Sequence, residues 1–315
     1  MPSKPQALAS HPSKPKSGVL GTPSDPSKPK SGLLGIPWRR RLVDQAATFA
    51  AWLAALLVIS PLIAIFTYLV IRGASAVSLA FLTHAPKPVG EAGGGIGNAI
   101  AGSALILLIS SLLGVPLGIG AGVYLAEYGH GRFATMVRFT ADVLNGVPSI
   151  VMGIAVYALV VLQQKHFSAL AGGVALGIMM IPMIARATEE MLLMVPRAIR
   201  EAALGLGVPE WRTVISVSLR TALPGVITGI MLAFARVAGE TAPLMFTAFG
   251  NQFWNLNPNQ PTAALPLQIY TYAISPYDEW HQQAWAGALV LIVLVVGTIC
   301  LVRLIAGRGV MKGSA

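Results

Sequence analysis

The chain has 315 residues, 55% of them hydrophobic and only 11% charged, with a formal net charge of +10 and a mean hydropathy of +0.69. Soluble domains carry about 25% charged residues, so an ordinary soluble globular protein is excluded and a polytopic membrane protein is expected. The single cysteine, Cys300, rules out an intramolecular disulfide. No cysteine–histidine cluster suggests a metal site, and no cofactor is expected.

Residues 1–43 form a basic stretch rich in Pro, Ser, Lys and Gly. Within it, PSKPKSGVLGTP at 12–23 recurs as PSKPKSGLLGIP at 26–37. This composition buries too little apolar surface to offset the entropy of ordering, so a disordered tail is expected. It does not read as a signal peptide, because the Pro-rich stretch precedes the basic cluster Arg39-Arg40-Arg41. A solvated tail that enforces topology and one that binds anionic lipid headgroups both fit.

Six apolar runs follow, at about 46–71, 99–124, 139–162, 170–193, 222–249 and 284–305. About 20 helical residues cross the roughly 30 Å hydrocarbon core, so each run reads as a membrane helix. The first run with its outer loop occupies 44–97, a core domain 98–306, and a short tail 307–315. Gly114, Pro116, Gly118, Gly120, Gly122, Pro148, Gly153 and Pro182 lie inside these runs. Membrane helices tolerate such residues, and small ones let neighbours approach closely.

Lys and Arg placement sets the orientation. With the N-terminus inside, the tail, the loops after the second and fourth helices and the C-terminus hold 18 basic residues, against Arg72, Lys87 and Lys165 outside. Both termini are therefore expected in the cytoplasm. This distribution accounts for the positive charge without nucleic acid.

The loop at 196–220 contains Glu201-Ala202-Ala203-Leu204-Gly205-Leu206-Gly207, then Val208-Pro209. Ala, Leu and Glu favour a short helix, and Gly207 with Pro209 would end it. Tied at both ends to membrane helices, such a helix can receive force from a soluble partner. The stretch resembles the EAA loop of ABC-transporter permeases on Glu201, Ala202, Ala203 and Gly207, although Arg220 stands where the general pattern has Pro. Further segments resemble the PstA family of phosphate permease subunits: Gly146 to Gly153, Arg186-Ala187-Thr188-Glu189, Ala235 to Leu244, Asn251-Gln252-Phe253-Trp254, Ser275 to Trp280, and Ala284-Trp285-Ala286-Gly287. The resemblance covers roughly 98–305. It implies an all-α membrane protein with six transmembrane helices and the ABC type I permease (MetI-like) fold, in the bacterial inner membrane. It also implies a PstC-like second permease, a PstB-like ATPase and an extracytoplasmic PstS-like phosphate-binding protein. No Gly-x-x-x-x-Gly-Lys-Ser/Thr loop occurs, so ATP hydrolysis is expected in the separate subunit and this chain is not read as an enzyme.

Four residues are candidates for the translocation path. Arg236 falls in the middle of the fifth run, where a charged side chain costs about 2.5–3.5 kcal/mol on the gentlest scale. Glu240 would lie on the same face of a continuous helix, one turn on. The two form a structural ion pair, or Arg236 offers a guanidinium fork to a tetrahedral oxyanion while Glu240 orients it at rest. Arg186 is a second candidate base, with Glu189 or Glu190 as alternative partners. Ser149, just after a helix break expected at Pro148, would offer its hydroxyl and backbone N–H groups to an anion. His166 and His281 read as solvated outer-loop residues. The sequence leaves open another oxyanion, sulfate or molybdate, and a signalling or scaffold role.

Overall fold

Apolar length determines where the long helices lie, and glycine and proline determine where they stop. The structure, a computed structural model, describes residues 38–91 and 93–311. The repeated tail at 1–37 and residues 312–315 lie outside the described residues. Two compact units divide at Pro61/Leu62. The first contains the beginning of α1 (Trp38–Gly73), where Phe49, Trp52, Leu56 and Leu57 are all exposed, as suits a surface in contact with lipid tails.

In the second unit, the short α2 (Leu79–Thr83) leads to α3 (Gly97–Val123), which ends in a π-helical turn at Tyr124–Tyr128. Then come α4 (Gly131–Gly146), α5 (Ser149–Val156), a π turn at Tyr157–Val161, α6 (Leu162–Gln164) and α7 (Ala169–Leu193). The loop helices are α8 (Arg197–Gly205) and α9 (Glu210–Thr213); a π turn at Val214–Ser218 connects them to α10 (Leu219–Ala238). The chain closes with α11 (Ala242–Thr247), α12 (Leu265–Ala273) and α13 (Asp278–Met311). Among the described residues no strand forms beyond an isolated bridge between Phe249 and Thr262.

Among the described residues five helices are long and apolar enough to cross a membrane, and a sixth span is made if α4 and the helix after it count as one bent pair. One run breaks at the proline where a break is expected, and one expected to be continuous is corrected. The run at 139–162 turns by 105° between Gly146 and Ser149, because Pro148 pushes Val147 out of helical geometry, to φ −69° and ψ 130°. The run at 222–249 stops at Ala238, where Gly239 caps α10, and restarts as α11 with Pro243 in its first turn.

The centre of the bundle is the α3–α7 pair. Gly114, Gly118 and Gly122 recur at every fourth residue, so they share one face of α3. That face lies directly against Met180, Ile184 and Thr188 of α7; a Cβ on Gly118 would come within 2.7 Å of the Ile184 Cβ. Helices in lipid lack a hydrophobic drive to associate, and close backbone approach at small residues replaces it. Met180 and Ile184 anchor the main apolar core with Ile106, Leu176, Val237 and Leu244.

At the end opposite the arginine-rich loops, the segment after α11 folds over the start of α7. The Thr247, Pro258 and Gln260 carbonyls accept from the Ser168, Leu170 and Ala169 N–H groups, and Ser168 Oγ accepts from Ala171. The free N–H groups of the α7 N-terminus are thereby satisfied. Beside this cap lies a cavity of about 510 Å³ lined by Lys87, Asn251, Gln252, Gln268, Thr271, Tyr272 and neighbours. Burial pushes the Tyr272 phenol up, against the lowering effect of its hydrogen bond with Gln268.

Candidate translocation site and coupling loop

The loop helix α8 starts after Pro196 and ends in a complete glycine cap. Val208 N–H donates to the Ala203 carbonyl and Gly207 N–H to Leu204, with Gly207 at φ +80°. This is the Schellman arrangement, which needs a left-handed residue where Gly is favoured. The helix runs from 197 to 205, beginning earlier than the EAA motif and ending two residues before Gly207. Glu201 and Ala202 are exposed while Ala203 is buried against the bundle. Leu204, Leu206 and Trp211 are exposed as well, with Leu206 at 85%, so the loop presents apolar surface away from the bundle.

Arg186, a candidate anion ligand, is fully engaged by carboxylates. Its Nε donates to Asp142 at 2.9 Å, a second bond joins Nη2 to the same carboxylate, and Nη1 donates to Glu189 at 3.1 Å. Glu189, with its side chain only 5% exposed, also accepts from Arg138 Nε at 2.6 Å. Arg138 donates in turn to the Leu125 carbonyl at 2.8 Å. Two arginines and two carboxylates thus bind α4 to α7 and to the end of α3. Of the two partners expected for Arg186 the structure uses Glu189, adding Asp142, and leaves Glu190 exposed. Arg138 and Asp142 were absent from the sequence-level candidates; the signal available was the presence of charges at the edge of, and inside, the third apolar run.

Arg236 has a different environment. Gly225 of α10 packs on Met191 of α7 and Gly229 on Ala187. Continued along the two antiparallel helices, this register brings Arg236 level with Met180, at the centre of α7. Its guanidinium lies 3.9 Å from Met183 Sδ and is exposed in the single chain. The expected neutralisation by Glu240 is not found: among the described residues no carboxylate lies within ion-pair distance of Arg236. The cause is the break at Gly239, which removes Glu240 from the helical face that a continuous helix would have given it. Glu240 instead bonds through its N–H to the Val237 carbonyl.

Ser149 is the first residue of α5, partly buried, with Pro148 before it. One turn on, Gly153 lies against Pro243, whose Cα would be 2.6 Å from a Cβ there. The start of α5 is thereby held beside the start of α11, near the interruption that follows Arg236. Two broken helices thus meet a few residues beyond Arg236, which has no carboxylate partner among the described residues; in a membrane such non-helical backbone is tolerated only if buried in protein or lining a cavity.

A family model described as "Binding-protein-dependent transport system inner membrane component" matches residues 114–308. The phosphate transport system permease protein PstA of Yersinia pestis is 47% identical over 237 residues, covering 75% of this chain and 80% of that one. The PstA of Xylella fastidiosa strain Temecula1 is 46% identical over 261 residues, covering 82% and 90%. This chain belongs to the PstA family. PstA 1 of Mycobacterium tuberculosis strain H37Rv is more distant, at 38% identity over 279 residues, covering 86% of this chain and 90% of that one.

Among solved structures, a chain of the MetNI methionine ABC transporter in an inward-facing conformation aligns with a TM-score of 0.54 at 20% identity, covering 70% of this chain and 97% of that one. This likeness supports the all-α type I permease fold. As a PstA-family protein the chain is a multi-pass membrane permease and a transport subunit of a multi-component ABC system.

Proposed function

We propose that this chain forms, with a second PstC-like permease, the path of an ATP-driven importer of inorganic phosphate in a bacterial cytoplasmic membrane. A PstB-like ATPase docks on the exposed surface of the loop at Glu201, Ala202, Leu204 and Leu206, with Ala203 and Gly207 shaping that surface. A PstS-like binding protein delivers the anion at the opposite end. Both termini face the cytoplasm, since the basic loops lie at the end that the positive-inside rule assigns there.

The observation that carries this reading from kinship to chemistry is the Arg236 guanidinium. It lies level with the middle of α7, exposed in the single chain and without a carboxylate partner among the described residues. A planar fork of N–H donors matches a tetrahedral oxyanion in geometry and charge. A single cation also limits how tightly the anion is held, which conduction requires. Ser149 adds neutral donors at the start of α5. Glu240, just past the end of α10, lowers the positive potential around the guanidinium without pairing with it, which keeps the anion from being held too tightly to leave.

The test is uptake of labelled phosphate by cells or proteoliposomes with the Arg236→Gln chain. Uptake is expected to fall to background while the four-component complex still co-purifies. Unchanged uptake removes Arg236 from the path. Transport of sulfate or molybdate in place of phosphate by the wild-type complex would overturn the substrate assignment.

A further inference from the structure

One residue of the loop helix touches three membrane helices at once. Arg200 Nη2 donates to the Leu192 carbonyl, in the last turn of α7, at 2.6 Å. Its Nε donates to Ser218 Oγ, in the π turn that opens α10, at 3.2 Å. Nη2 also lies 2.8 Å from Glu127 Oε1, in the π turn that closes α3. Ser218 and Leu192 are completely buried, and the Glu127 side chain is 9% exposed. Beneath the guanidinium the same three helices share a small apolar cluster of Leu192, Val195, Ala222 and Val226, with Val123 and Leu219 packed against it.

Two chemical features suit this guanidinium to more than a static contact. Its acceptors include the carbonyl end of α7, the negative pole of that helix, where a cation is favoured. Two of its three partners sit on π turns, wide turns with i→i+5 bonding that recur at functional sites. Glu127 Oε1 lies within ion-pair distance yet receives no aligned hydrogen bond. Charge, and not a directional bond, holds that contact, which therefore tolerates sliding.

We propose that Arg200 is the positioning residue through which displacement of α8 reaches α3, α7 and α10 together. A push on the exposed face at Glu201 and Leu204 moves a helix whose bundle-facing side is held by this cation. The pull is delivered to the cytoplasmic ends of the helices that carry the glycine seam and Arg236. This inference rests on the reading that a separate ATPase drives the chain through this loop.

Truncating Arg200 alone would leave Glu127 buried and uncompensated, which is strongly destabilising. The informative variants are therefore Arg200→Lys, which keeps the charge but loses the fork, and the neutral double variant Arg200→Met/Glu127→Gln. Each is measured in the complete complex in proteoliposomes for assembly, ATP hydrolysis with and without phosphate-loaded binding protein, and phosphate uptake. Both are expected to assemble. Both should lose roughly 5–150-fold of the substrate-dependent stimulation and of uptake per ATP, the span of a typical coupling free energy, with Arg200→Lys the milder. Wild-type uptake per ATP in the double variant would overturn the proposal. So would losses that follow loss of assembly in both variants, since Arg200 would then be a staple only. A wild-type complex that transports no phosphate would instead refute the functional reading on which the inference rests.

Discussion

Arg186 and Arg236 carry the same guanidinium into the same bundle, and their surroundings assign them different work. Arg186 is held by Asp142 and by Glu189, which it shares with Arg138, so an anion could reach it only by displacing carboxylates already in place. Removing Glu189 would leave two arginines facing each other around a buried gap. Glu189→Ala is therefore expected to destabilise by about 3–5 kcal/mol, as when one partner of a buried ion pair is lost; thermal unfolding of the detergent-purified protein measures this. Arg236 and Glu240 should behave as independent residues, because no ion pair joins them. In a double-mutant cycle of Arg236→Gln and Glu240→Gln, the stability coupling is expected to stay within about 0.5 kcal/mol, the limit for sites without shared partners. A larger favourable coupling would restore the structural pair that a continuous helix would have made.

The α3–α7 seam offers an internal control. Gly118 faces Ile184, whereas at Gly120, two residues on, an added Cβ would meet nothing within 4 Å. Gly118→Val is expected to cost about 1–3 kcal/mol through overpacking and to lower the yield of assembled complex. Gly120→Ala should be neutral or stabilising by up to about 1 kcal/mol, the helix-propensity difference. Equal effects at both positions would deny the seam its role. Element limits of this kind were largely legible in the sequence, because apolar length is a local property: α3 begins at Gly97 and α7 at Ala169, within two residues of the expected runs. The break at Pro148 was legible too, since proline constrains the residue before it. The break at Gly239 was not, because an isolated glycine is common inside membrane helices. Arg236 stood out as a base within apolar surroundings, but its lack of a partner depended on that unseen break. The ion cluster was hidden for another reason. Arg138 reaches Glu189 across 51 positions and Arg186 reaches Asp142 across 44, and hydropathy carries no information about such pairings.

The distribution of charge and apolar surface across the chain makes a claim about which end meets which compartment. Arg197, Arg200, Arg212 and Arg220 lie in and around the loop helices, whereas residues 250–283 at the other end contain no Lys or Arg. Leu206 and Trp211 are exposed at the basic end, Gln252 and Trp254 at the other. Cysteines placed singly at 206 and 252, in a chain with Cys300→Ser to remove the exposed native thiol, report on both ends. A membrane-impermeant maleimide added to intact spheroplasts is expected to label position 252 and spare 206. Inverted vesicles should reverse that pattern under the proposed orientation, in which the positive-inside rule puts the basic end in the cytoplasm. An apolar side chain as exposed as Leu206 also marks an interaction surface. Adding the ATPase subunit to inverted vesicles should therefore protect position 206 from the reagent. Labelling at 206 from outside would invert the topology; full labelling with the ATPase bound would move the docking surface away from the Gly207 cap.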